Sequence, residues 1–246
     1  MDSSEIEIRA IRKEDYAKAE AFAAEGMHFN WYAKVPFVGL LGVLFFRMQL
    51  NEATQVIAAY KGEKFLGVLL ARIDGEPKVS SRWWITAILA IGMGVLGIAS
   101  WVSGLFGDDL GFSPIDPDED MLKEFKRNHD PDGELLFLAA DPHCGVKGVG
   151  TTLLKELERR EPGKLIYLFT DTGCTYQFYE KRGFVLTCEC TSANSLDGDG
   201  NPIGHFLYCK RLPSKGESGA GGQGEPRSTR NHHRHDVHPR LRKRVL

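Results

Sequence analysis

A mixed α/β sheet with helices on both faces is the fold class this sequence predicts, and three observations predict it. Strand-like and helix-like runs follow the order β-α-α-β-β-(insertion)-β-α-β-α-β-β, which that layered architecture satisfies. Lys61-Gly62-Glu63 separates two β-rich runs and reads as a compact hairpin turn. An apolar strand, Leu135–Ala140, runs into a glycine-rich turn that opens a helix. At 246 residues with 42% apolar content, the chain holds one large domain or two small ones.

Each element has a local cause. Residues 5–11 (EIEIRAI) alternate and predict a first strand, and the Ala- and Glu-rich run Lys13–Glu25 predicts a helix. Phe37–Leu50 predicts a second, unusually apolar helix. Thr54–Tyr60 and Lys64–Ile73 are the arms of the hairpin. After the turn, Gly150–Arg160 reads as a helix, Leu165–Thr170 as a strand, and Cys174–Arg182 as a helix closed by Gly183. Phe184–Thr191 and Ile203–Arg211 are the last strands, joined by the polar turn Asp197-Gly-Asp-Gly-Asn.

The turn Gly145-Val146-Lys147-Gly148-Val149-Gly150-Thr151 carries chemistry as well as shape. A glycine-rich turn at a helix start points backbone N–H groups and the positive helix end at an anion. Alone, the pattern is also that of a generic strand–turn–helix. Downstream, Tyr176-Gln-Phe-Tyr179-Glu-Lys-Arg-Gly183-Phe184 places a tyrosine at the end of a short helix. Together the blocks resemble the acyl-coenzyme A site of the GCN5-related N-acetyltransferases, the GNAT family. The stretch from Thr170 to Glu180 (TDTGCTYQFYE) resembles a bacterial subgroup.

The resemblance covers residues 5–74 and 131–212. It implies a GNAT-like, mostly antiparallel central sheet; an apolar helical insertion between the third and fourth strands is expected from the sequence itself and is not explained by the resemblance. The domain would then span 1–212, including an insertion at 75–130. It also implies acetyl-CoA as co-substrate and direct transfer of its acetyl group to an amine, without a metal. The cofactor-binding positions would be Leu138, Ala139 and Ala140 for the pantetheine amides, and Gly145 to Thr151 for the diphosphate. Thr172 stands where many family members place an asparagine. Gly145 departs from the Gln or Arg usual at its position. Glu134 matches the glutamate that deprotonates the acceptor amine, and Tyr179 the tyrosine that protonates the departing thiolate. Without the resemblance, Glu134 reads as an acid of the loop Asp130-Pro-Asp-Gly-Glu and Tyr179 as a core residue. Gly145 and Thr172 favour the alternative of a catalytically silent acyl-CoA-binding or membrane-associated scaffold module.

Charge excludes other classes. Residues 213–246 hold eight Lys/Arg and three Asp/Glu, which leaves 23 basic and 30 acidic residues on 1–212. That mildly acidic body offers no nucleic-acid surface. The five cysteines form no CxxC pair and are expected to be reduced thiols in a cytoplasmic setting. The charged N-terminus lacks the apolar stretch of a signal peptide.

Trp83–Gly107 is 25 residues without a charge. Its length suits a membrane span, yet a single crossing would separate strands that must share one sheet. It is therefore expected to lie in the membrane interface on the cytoplasmic face, or to be buried on the protein or a partner. Residues 213–246, basic and His-rich after a Gly-rich run, read as a disordered tail. Oligomeric state and the amine's identity are left open by the sequence.

Overall fold

Near-continuous apolar runs make strands that are covered on both faces, and the hairpin of β2 (Gln55–Lys61) and β3 (Lys64–Ile73) is built this way. The computed structural model describes residues 6–28, 35–79, 88, 91–92 and 117–214. The other described strands are β1 (Glu7–Arg9), β4 (Gly133–Ala140), β5 (Leu165–Asp171), β6 (Val185–Leu196) and β7 (Pro202–Arg211). The helices are α1 (Tyr16–Gly26), α2 (Val35–Glu52), α3 (Pro117–Lys126), α4 (Val149–Arg160) and α5 (Gln177–Glu180). Seven strands form one sheet in the order β1-β2-β3-β4-β5-β7-β6. Every pairing is antiparallel except that of β4 with β5.

Two helical layers cover the sheet. On one face, Val149, Leu153, Leu154 and Leu157 of α4 pack on Ile57, Leu69, Leu135 and Ile166. Their spacing is one stripe of a 3.6-residue period. On the other face, Ala19 and Ala23 of α1 and Phe46 and Leu50 of α2 close over Val68, Leu70 and Phe137. The same face continues under α3, where Met121 and Phe125 meet Tyr167 and Leu207. A Cβ on Gly42 would lie 2.6 Å from Ala24 Cβ and 2.7 Å from the Glu20 carbonyl, so α1 and α2 approach this closely only at glycine.

Three local expectations are corrected. The helix expected over Cys174–Arg182 spans only Gln177–Glu180. Asp171 Oδ1 accepts the N–H groups of Gly173 (2.7 Å) and Cys174 (3.0 Å), a side-chain turn that competes with helical bonding. Gly183 closes the far end at φ +79°. The first strand is shorter than 5–11, and the insertion contains a polar helix, α3, that the sequence reading left unassigned. Within the uncharged run 83–107, Ile88, Ile91 and Gly92 are helical and the rest lies outside the described residues, as does the tail from 215. Among the described residues no helix is long and apolar enough to cross a membrane.

Candidate functional site

The parallel pair at the sheet centre is short. β4 and β5 are in register at Gly133 with Ile166 and Glu134 with Tyr167, and beyond that step they are unpaired. The closed end is clamped: Asp132 N–H donates to the Leu165 carbonyl (2.8 Å) and Leu165 N–H to the Asp132 carboxylate (2.6 Å). From Glu134 to Ala140, roughly 20 Å at strand rise, the β5-facing edge of β4 has no strand partner. Leu138, Ala139 and Ala140 lie on this stretch, still paired to β3 on the other side. A bulge at Leu136 shifts the β3–β4 register, so Leu135 packs under α4 while Phe137 packs under α1 and α2.

The glycine turn stands beyond the open end of β4. Gly145 (φ +71°) and Gly148 (φ +87°) hold left-handed conformations, and a Cβ on either would meet nothing within 4 Å. Gly148 caps α4, and no side chain bonds the helix end. The first-turn amides at Val149, Gly150 and Thr151 therefore lack a side-chain cap. Val146 N–H points instead to Cys144 Sγ at 3.3 Å, and Lys147 is exposed. Gly150 also meets a packing demand. A Cβ there would lie 3.1 Å from the Phe178 ring, so its smallness lets α5 pack against α4. Arg182 completes the corner, donating to Thr151 Oγ1 and to the Phe178 carbonyl (2.8 Å) and lying 3.5 Å over the Phe178 ring.

That packing brings the turn and the tyrosine block together. Tyr179 sits between Phe178 and Phe184, with ring centroids 5.2 and 5.6 Å away. Among the described residues nothing bonds its hydroxyl. Burial, and secondly Cys174, hold its pKa well above the ordinary phenol value, so it stays protonated. Burial also pushes the Cys174 thiol up to about 12, ahead of the effect of Asp171, which unsuits it as a nucleophile. The five cysteines are free thiols. The Thr172 hydroxyl accepts the Gly204 N–H at 3.2 Å and ties the end of β5 to β7.

Glu134 occupies the apex where the strands part. Its Oε2 accepts from Arg72 Nη2 (2.6 Å) and Tyr167 Oη (3.0 Å). Burial raises its pKa above the ordinary carboxylate value, although Arg72 and the Tyr167 bond pull it down. Burial thus outweighs the cation, which leaves a carboxylate with more proton affinity than a solvated one. Arg72 and Tyr167 were missed by sequence reasoning. One signal existed: Arg72 is the sole charge inside the apolar run Phe65–Ile73. A separate groove of about 520 Å³ between α1 and α2 is lined by Ala21, Ala24, Glu25, His28, Val38 and Gly39. His28 Nε2 reaches the Gly173 carbonyl at 2.8 Å, linking the groove's edge to the loop after β5.

No family model and no curated protein matches the sequence. Among solved structures, the chain is similar to the polyamine N-acetyltransferase of Drosophila melanogaster at 14% identity and TM-score 0.48, covering 84% of this chain and 100% of that one. It is similar to an N-acetyltransferase of Staphylococcus aureus at 14% identity and TM-score 0.47, covering 84% and 98%. It is also similar to the ribosomal-protein-S18-alanine N-acetyltransferase of Escherichia coli at 13% identity and TM-score 0.43, covering 87% and 97%. At such scores and identities the likeness is one of general architecture and says nothing of activity.

Proposed function

We propose that the chain is an acetyl-CoA-dependent N-acetyltransferase that moves an acetyl group to an amine by direct attack on the thioester. One observation carries the reading: β4 parts from β5 at Glu134, and the parted edge leads to an uncapped helix start behind two left-handed glycines. The residues fit the group. Gly145 and Gly148 leave open space where side chains would stand, and a strand edge without a partner offers backbone groups to amides.

Acetyl-CoA supplies the activated carbonyl that the amine attacks. The chain's residues do the rest. The amides at 149–151 and the positive end of α4 bind the diphosphate, with Lys147 adding charge. The backbone at Leu138–Ala140 takes the pantetheine amides. Glu134 accepts the proton an ammonium must lose before its nitrogen is nucleophilic, which its raised pKa suits. Tyr179, held protonated, donates to the departing thiolate. Fixed orientation supplies several kcal/mol of the barrier reduction and proton transfer less. Contact with a membrane surface through residues 83–107 belongs to the proposal on sequence grounds, and vesicle flotation tests it.

The experiment is an acetyl-CoA turnover screen over polyamine, aminoglycoside, amino-acid and peptide amines, with Glu134→Gln and Tyr179→Phe as controls. Turnover that both variants depress supports the proposal. Coenzyme A binding without turnover of any acceptor supports the silent acyl-CoA-binding module, which the hold of Arg72 on Glu134 favours. If coenzyme A produces no thermal shift, both readings fall.

A further inference from the structure

Arg72 is the part of the site that acid–base chemistry alone does not use. A carboxylate base needs no permanent cation, and a cation beside the reacting position repels an approaching ammonium. Yet Arg72 Nη2 lies 2.6 Å from Glu134 Oε2, with 33% of the arginine side chain and 16% of the glutamate exposed.

Both groups are half-used. Among the described residues Arg72 donates only through Nη2, to Glu134 and, at 3.3 Å, to Tyr167 Oη. Among the described residues its Nε and Nη1, which hold three of a guanidinium's five N–H donors, bond to nothing. Glu134 accepts both of its bonds at Oε2, and Oε1 has no partner among the described residues. Side by side, then, stand a free carboxylate oxygen and free guanidinium donors, held in place by Tyr167. This pattern is the complement of a zwitterion, in which an ammonium and a carboxylate are themselves a few bonds apart. A polyamine would set a second ammonium against Arg72, and a plain alkylamine would leave the guanidinium's three spare donors to water.

We infer that the acceptor is an amine carrying its own carboxylate within a few bonds, a free amino acid in the simplest case, with Arg72 binding the carboxylate while Glu134 takes the amine proton. The inference rests on the acetyl-transfer reading above. In the step, the ammonium gives one proton to Glu134, which passes it to solvent; the nitrogen then forms a C–N bond to the acetyl carbon, and as the C–S bond breaks the adduct gives its second proton to the same carboxylate. The thiolate leaves with a proton from Tyr179, which solvent restores. The acceptor's carboxylate keeps its charge throughout.

The test compares each of the twenty amino acids with the amine left when its carboxylate is removed, under saturating acetyl-CoA. For at least one pair, the wild type should favour the amino acid in kcat/KM by about 10- to 100-fold, the range of a charge-assisted hydrogen bond. In Arg72→Gln that preference should collapse to within about threefold, and Arg72→Lys should restore part of it. Because the ratio is taken within one variant, lost stability and altered Glu134 basicity cancel. Equal turnover of amino acid and amine by the wild type, or a preference that Arg72→Gln leaves intact, overturns the inference while leaving the acetyl-transfer reading standing. Failure of every acceptor overturns both.

Discussion

Replacing Gly148 by alanine isolates the turn on which the cofactor reading depends. Gly148 holds φ +87° at the start of α4, and a Cβ there meets nothing within 4 Å, so the penalty is conformational rather than steric. A left-handed L-residue costs about 1–2 kcal/mol. The free variant can relieve this by swinging the turn out of its left-handed form, but the bound one cannot if the amides at 149–151 must face the diphosphate. The same 1–2 kcal/mol should therefore reappear as weaker binding, roughly 5- to 30-fold in Kd. Calorimetric titration with coenzyme A measures it, and pantetheine, which lacks the diphosphate, serves as the control ligand. Coenzyme A affinity should fall and pantetheine affinity should hold. Unchanged coenzyme A affinity in a variant whose Tm is also unchanged would refute the role given to the turn.

Other outcomes follow from charge and packing. Glu134→Gln should lower kcat/KM by about 10²–10⁴-fold and abolish an acid limb that lies above pH 4.5 in the wild type, because burial raises this carboxyl from 4.5. Arg72→Gln should move that limb further up, since the cation that lowers the pKa is gone. With its folded pKa raised, Glu134 binds its proton more tightly in the native state. Its contribution to stability is thus full below pH 4.5 and declines as pH rises through the raised value, a slope that urea titrations should lose in Glu134→Gln. Glu156 has the opposite sign: Arg159 first, and then Arg160, lower its pKa to about 2. Its stabilisation is present above about pH 4.5 and lost as pH falls through about 2. With Arg159 largely exposed, Glu156→Gln should cost only about 1 kcal/mol at pH 7 in chemical denaturation. In Gly42→Val the Cβ would stand 2.6 Å from Ala24 Cβ. The resulting overpacking should cost about 1–3 kcal/mol and lower Tm by about 2–4 °C per kcal/mol in a thermal melt.

The sequence carried the framework because its signals are local. The hairpin at Lys61-Gly62-Glu63, the strand into the glycine turn, and the apolar stripe of α4 each sit within a dozen residues, and the structure has all three. Contacts spanning long separations were not legible. Arg72, Glu134 and Tyr167 meet only because β3, β4 and β5 are neighbours, and nothing in the segments around them announces it. The short α5 follows from the Asp171 side-chain turn, which competes with helix start in a way that propensity does not register. α3 was legible but overlooked: Asp118, Glu119 and Asp120 open it, Lys123 and Lys126 close it, and Met121 and Phe125 share its buried face. The contact that Gly150 makes with Phe178 was likewise not legible, because α5 lies some thirty residues further along the chain.

Amide hydrogen exchange with and without coenzyme A tests the central claim, that the edge of β4 beyond Glu134 and the start of α4 form one binding cleft. The account predicts slowed exchange on binding in two places, residues 136–140 and 148–151, with β1 and the tip of the β6–β7 hairpin unchanged. Binding that leaves both segments at their free exchange rates would contradict it.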